Sequence, residues 1–157
     1  MDDPAPLIIG IGNDLRGDDG AGPRVAAALA GAGYRTLVHG GDGADLMDLW
    51  QGEAAVFLVD AATGAGPAGE LRRLDAATTP LPTGFFRYSS HLFGLAEAVE
   101  TARVLGRLPP RLVVYAIAGT DFAMGAAMTP AVAAACDAAV ARLAAELGPP
   151  GGPSARA

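Results

Sequence analysis

Three runs of nearly unbroken apolar residues constrain this chain more than any other feature: LIIGIG (7–12), AAVFLVD (54–60) and RLVVYAIA (111–118). Each is shorter than a typical globular helix and rich in β-branched residues, so each reads as a strand. A strand without a polar face has to be covered on both sides, which points to a mostly parallel sheet between two helical layers.

The intervening segments supply the helices. After Asp19 the chain turns Ala-rich, with Pro23 where a first helical turn tolerates it, and Gly31 and Gly33 end the run. Tyr34 to His39 reads as a second strand, broken by Gly40, Gly41 and Gly43 before the short helical patch ADLMDLW (44–50). Beyond Asp60, a Gly/Pro-rich loop leads to GELRRLD (69–75), polar enough for an edge strand, for which an antiparallel course is open. Leu92, Leu95, Ala96, Val99 and Ala102 recur at helical spacing, so Ser89, Ser90 and His91 should open a helix with Ser90 as its cap. Thr129-Pro130 starts a last helix that turns Val132, Cys136, Val140, Leu143 and Leu147 inward. The expected fold is a three-layer α/β/α sandwich on a five-stranded, mostly parallel twisted sheet. One domain should cover residues 1–147, with a disordered tail over 148–157.

Composition excludes several functions. With 17 acidic against 11 basic residues and no Lys/Arg cluster, the chain lacks the electrostatic footprint of nucleic-acid binding. The N-terminus, MDDPAPL, is acidic where a secretory signal needs positive charge. The longest apolar segment, Phe122 to Leu147, is interrupted by Pro130, Asp137, Arg142 and Glu146, so it should not span a membrane. Cys136 is the single cysteine, which rules out an intramolecular disulfide and suits a reducing cytoplasm; its place on an apolar helix face makes it an inert core thiol.

Ligands of open α/β sheets bind at the carboxyl ends of the strands. Asp14, Arg16, Asp18 and Asp19 follow the first strand there, Asp60 ends the third, and His91 opens a helix. Asp18 or Asp19 should sit at or near the N-cap of the next helix, and Asp19 alone is more often such a cap than a ligand. Asp60 is harder to explain structurally, because a carboxylate directly after AAVFLV is desolvated unless paired, capped or metal-bound. A lone His91 is more often structural, yet a helix N-terminus would keep its ring neutral, the form a metal requires. His39 reads as structural or surface, and Asp14, Arg16 and Asp18 as loop residues shaping the cleft. Ser89 and Ser90 lack a GxSxG context, which disfavours a serine hydrolase. GIGNDL offers two glycines of a dinucleotide fingerprint but Leu15 where the third is needed, and no phosphate-loop Gly-Lys-Ser/Thr follows.

GIGNDLRGDDGAG, LVDA with Asp60, SSHLFGLAEAV with His91 and GAAMTPAV, in that order, resemble the motifs of the hydrogenase maturation endopeptidases. The likeness covers about residues 7 to 147. It implies an α/β/α fold and removal of a C-terminal peptide from the large subunit of a nickel-iron hydrogenase after nickel insertion. It also implies that Asp19, Asp60 and His91 are the metal-binding and catalytic residues, Asp19 standing where some members have Glu. Nickel, supplied by the substrate, is the implied metal, with zinc or cadmium as substitutes. The implied partner is the hydrogenase large-subunit precursor. Many members carry a Gly-hydrophobic-Gln/Glu-Pro run after the last strand, where this chain reads Ala116, Ile117, Ala118, Gly119. Whether the metal is catalytic or a recognition element stays open, as do two other readings: a non-enzymatic metal-sensing assembly factor and a nucleotide-binding α/β module.

Overall fold

A computed structural model describes residues 4–63, 65–82, 84, 86 and 92–151. The elements follow in the order β1 (Leu7–Ile11), a short 3-10 turn (Gly17–Gly20), α1 (Ala21–Gly31), β2 (Thr36–His39), α2 (Gly43–Trp50), β3 (Ala55–Ala62), β4 (Leu71–Asp75), α3 (Leu95–Leu105), β5 (Arg111–Ala118) and α4 (Pro130–Leu147). The five strands form one sheet in the order β2-β1-β3-β5-β4. All pairings are parallel except that of the edge strand β4, which runs antiparallel to β5.

The three apolar runs become the three central strands, and their alternation sorts the core into two layers. Ile9, Val56, Leu58, Leu112 and Val114 face α2 and α3, packing with Leu46, Trp50 and Val99. Ile8, Phe57, Val59, Val113 and Tyr115 face α1 and α4, packing with Val25, Leu29, Cys136 and Leu143. Each such side chain withdrawn from water contributes on the order of 1.5–3 kcal/mol, which is why these strands carry no polar face.

Helix α1 lies unusually close to β1. A Cβ on Gly10 would meet the carbonyl oxygen of Gly22 at 2.2 Å, and one on Gly22 would meet the carbonyl oxygens of Ile11 and Val59 at 2.3 and 2.4 Å. The close helix–strand approach therefore depends on Gly22, whereas Leu15 at the fingerprint position is 65% exposed.

Several boundaries differ from the sequence expectation. β2 starts at Thr36 rather than Tyr34, whose hydroxyl instead donates to the Gly148 carbonyl at 2.6 Å. β3 continues through Ala61 and Ala62, paired with Ile117 and Ala118, so Asp60 lies inside the strand rather than at its end. Helix α1 is capped by neither Asp18 nor Asp19: its N-cap is Gly20, and the acidic pair forms the preceding 3-10 turn. Helix α3 begins at Leu95 rather than near Ser90, because extended Gly94 (φ −104°, ψ −156°) interrupts the helical path and the Glu97 carboxylate accepts its N–H at 2.9 Å. Leu92, expected on the inward face, is fully exposed. Ser89, Ser90 and His91, and the tail from residue 152 onward, lie outside the described residues. No described helix is long and apolar enough to cross a membrane.

Candidate functional site

The chain leaves β1 through a turn built by Asn13. Its side-chain oxygen accepts the Leu15 N–H at 2.9 Å, and its carbonyl accepts the Arg16 N–H at 3.1 Å. The turn delivers the acidic pair back to the end of β1. The Asp19 carboxylate accepts the Asn13 N–H at 2.9 Å. Gly12 (φ 141°) makes this return possible, since a Cβ there would lie 1.9 Å from the Asp19 carbonyl oxygen.

The two acids of the pair point to different surroundings. Asp18 is completely buried, and among the described residues it is the only polar or charged one that is. One of its oxygens accepts the Thr129 N–H at 2.8 Å and the Thr129 hydroxyl at 2.9 Å. The other accepts the N–H groups of Thr120 and Asp121 at 2.9 and 3.0 Å. Burial pushes its pKa up, but the four hydrogen bonds outweigh it and leave the carboxyl below its ordinary value. Asp19 is shifted the other way: burial raises its pKa against the opposing pull of the Asn13 N–H and the Arg16 charge.

Asp60 shares the side-chain parity of Val56 and Leu58, so it faces the α2/α3 layer, beside Ala116 of β5. Its residue surface is not fully closed to solvent, yet its carboxyl is shifted well above the ordinary range. Burial is the main cause and the charge of Asp19 the second, with the Ala61 N–H opposing both. Asp19 and Asp60, 41 residues apart in sequence, are thus brought close enough to repel one another.

Of the three expected ligands, the structure brings together Asp19 and Asp60, and His91 lies outside the described residues. Among the described residues no group of three His, Cys, Asp or Glu side chains gathers in a metal-holding arrangement. Phe93, two residues beyond His91, is fixed on the Asp60 side of the sheet, where its carbonyl accepts the Gly43 N–H at the start of α2 at 2.8 Å. His39 accepts the Gly41 N–H on Nδ1 at 2.9 Å, a local structural role as expected. Cys136 is buried, and burial pushes its thiol up to about 11, which makes it inert.

Asp18 is the residue whose role the sequence understated, and adjacency hid it: in DDG both acids read as members of one loop. A phosphate at the start of α1 would meet the acidic turn Asp18–Asp19 immediately before the helix, which counts against nucleotide binding there.

Comparison with known proteins agrees with the fold. Residues 24–146 match the HycI family of hydrogenase maturation proteases. The hydrogenase expression/formation protein HupD of Bradyrhizobium diazoefficiens is 30% identical over 132 residues, covering 80% of this chain and 69% of that protein. HupD of Thiocapsa roseopersicina is 29% identical over 120 residues, covering 73% of this chain but only about half (54%) of its own length. The hydrogenase maturating endopeptidase HybD from E. coli has the same fold, with a TM-score of 0.74, 22% identity and 91% of both chains covered.

Proposed function

The chain belongs to the hydrogenase maturation protease family, and from that premise we propose that it is an endopeptidase removing a C-terminal peptide from a nickel-loaded hydrogenase large-subunit precursor. The observation that carries this reading is the meeting of Asp19 and Asp60 at the carboxyl end of the sheet. Two carboxylates that burial and mutual repulsion disfavour as a doubly ionised pair are stabilised when a cation comes between them.

The chemistry of the donors fits a borderline divalent ion. Asp19 and Asp60 supply carboxylate oxygen, His91 would supply imidazole nitrogen, and three ligands leave positions open. The hydrogen bond that the Gly43 N–H donates to the Phe93 carbonyl supports His91 as the third ligand, since it holds Phe93, two residues on, at the sheet face that Asp60 occupies. In this reading nickel arrives as part of the substrate, and the protein's ligands grip it and so align the adjoining peptide. A nickel ion so held polarises what it touches. The chain's own part is to orient the substrate by holding Asp19 and Asp60 toward one another at the carboxyl end of the sheet. The single buried thiol is compatible with a cytoplasmic setting for this work.

Incubating the purified protein with nickel-loaded precursor and measuring intact mass tests the proposal. A precursor shortened by a C-terminal peptide, with loss of cleavage in Asp19→Asn and Asp60→Asn, is the expected result. An unshortened precursor that nevertheless co-purifies with the protein would instead establish a non-enzymatic assembly factor.

A further inference from the structure

We propose that Asp18 is a positioning residue for Asp19: by locking the 3-10 turn onto the loop between β5 and α4, it aims its neighbour's carboxylate at Asp60. This inference rests on the reading of Asp19 as a substrate-metal ligand, and it adds a residue to which that reading gives no role.

The geometry of Asp18 exceeds what anchoring a loop requires. A carboxylate has about four in-plane acceptor positions, and here four donors fill them: the Thr129 N–H and hydroxyl on one oxygen, the Thr120 and Asp121 N–H groups on the other. The Asp18 N–H donates in turn to the Asp121 carbonyl at 2.8 Å. Donors on both oxygens and a bond from its own backbone leave this residue no rotational freedom. They also bind both ends of the 119–129 loop to one point, because Thr120 and Asp121 start the loop and Thr129 is the N-cap of α4.

Adjacent side chains of a 3-10 turn diverge by roughly a third of a turn. With Asp18 locked into the loop on one side, Asp19 must project to another, where it meets the Asn13 N–H and the charge of Asp60. Asp19 has weaker guidance of its own. The Asn13 N–H is a neutral donor from an exposed turn, the Arg16 charge adds an attraction, and the charge on Asp60 pushes against both. Two further bonds seat the same segment on the same loop: the Gly125 N–H donates to the Leu15 carbonyl at 2.7 Å, and Arg16 Nε to the Phe122 carbonyl at 3.3 Å. Asp18 is the buried centre of this seam.

Asp18→Asn keeps the size of the side chain but turns an amide NH2 toward N–H donors that need an acceptor. Two readouts follow it: hydrogen exchange of the Asn13 amide, which reports whether Asp19 still accepts from it, and kcat and KM for precursor cleavage well below the melting temperature. Exchange at Asn13 should rise about tenfold while amides within β3 stay protected, and kcat should fall by at least about tenfold with KM little changed. A lowered melting temperature with native Asn13 exchange and native kcat would overturn the proposal and leave Asp18 a structural anchor. If Asp18→Asn does not fold, Thr129→Val removes one of the four donors. Faster Asn13 exchange in that variant supports the proposal, and unchanged exchange refutes it. Should wild type itself fail to cleave the precursor, the functional reading falls, while the Asn13 exchange still decides whether Asp18 holds Asp19.

Discussion

The charge of Asp19 raises the proton affinity of Asp60, a carboxyl that burial has already moved well above its ordinary range. An isolated protein gains nothing from this arrangement. Asp60 is flanked by Val59 and Ala61 on a central strand, where an apolar side chain would pack without electrostatic cost. Retaining two mutually repelling acids at the sheet's carboxyl end makes sense when the protein meets a cation there.

That strain should be measurable as pH-dependent stability. A carboxyl whose folded pKa exceeds its unfolded value of about 3.9 contributes stability at acid pH, and the contribution is lost as pH rises through the folded pKa. Asn does not titrate. Asp60→Asn should therefore melt higher than wild type at pH 8, by about 3 °C or more, with the gap narrowing toward pH 5. Calorimetry at the two pH values checks this, and a gap that is absent or widens toward acid pH contradicts it.

Glu146 behaves in the opposite sense. Its carboxylate is bound by Arg73 at 2.9 and 2.5 Å and by Arg111 at 2.9 Å, and it also accepts the Tyr115 hydroxyl. Arg73 chiefly holds its pKa down at about 2, against the opposing effect of burial. The stability it contributes is present above its unfolded pKa of about 4.3 and is lost as pH falls toward 2. Glu146→Gln should cost about 2 kcal/mol at pH 7 and progressively less as the pH is lowered to 3, measured by urea unfolding.

Gly22 and Gly31 lie in one helix and should respond oppositely to the same change. A Cβ at Gly22 would strike backbone carbonyls of β1 and β3, which cannot move aside, whereas at Gly31 it would meet nothing within 4 Å. Gly22→Ala should destabilise the fold by about 2 kcal/mol or more. Gly31→Ala should be neutral or stabilising by up to about 1 kcal/mol. Equal melting temperatures for the two variants would refute the close approach of α1 to the sheet.

How much of this was legible in the sequence depended on the range of the forces involved. The central strands announce themselves because their apolar runs reflect burial on both faces, and β5 occupies the expected residues 111–118 without adjustment. Thr129-Pro130 marks the start of α4 for an equally local reason, the fixed φ of proline in a first turn. The start of α3 was misplaced because Leu92 keeps the helical spacing although Gly94 ends the path, and spacing cannot register a backbone break. Asp19 and Asp60 were readable as candidates because one follows the first apolar run and the other closes the third, although β3 itself runs on to Ala62. The function of Asp18 was not, since its four donors come from residues 102 to 111 positions away, and no local pattern records them.

The most direct test asks whether cleavage depends on a metal that arrives with the substrate, as proposed for Asp19 and Asp60. Precursor is loaded with nickel, free metal is removed by a chelator, and enzyme stripped of metal beforehand is added, with intact mass as the readout. The account predicts that loaded precursor is shortened, that nickel-free precursor is not, and that Asp19→Asn and Asp60→Asn abolish the difference by losing cleavage. Equal processing of nickel-free precursor would contradict it, as would activity that returns only when the enzyme itself is recharged with metal.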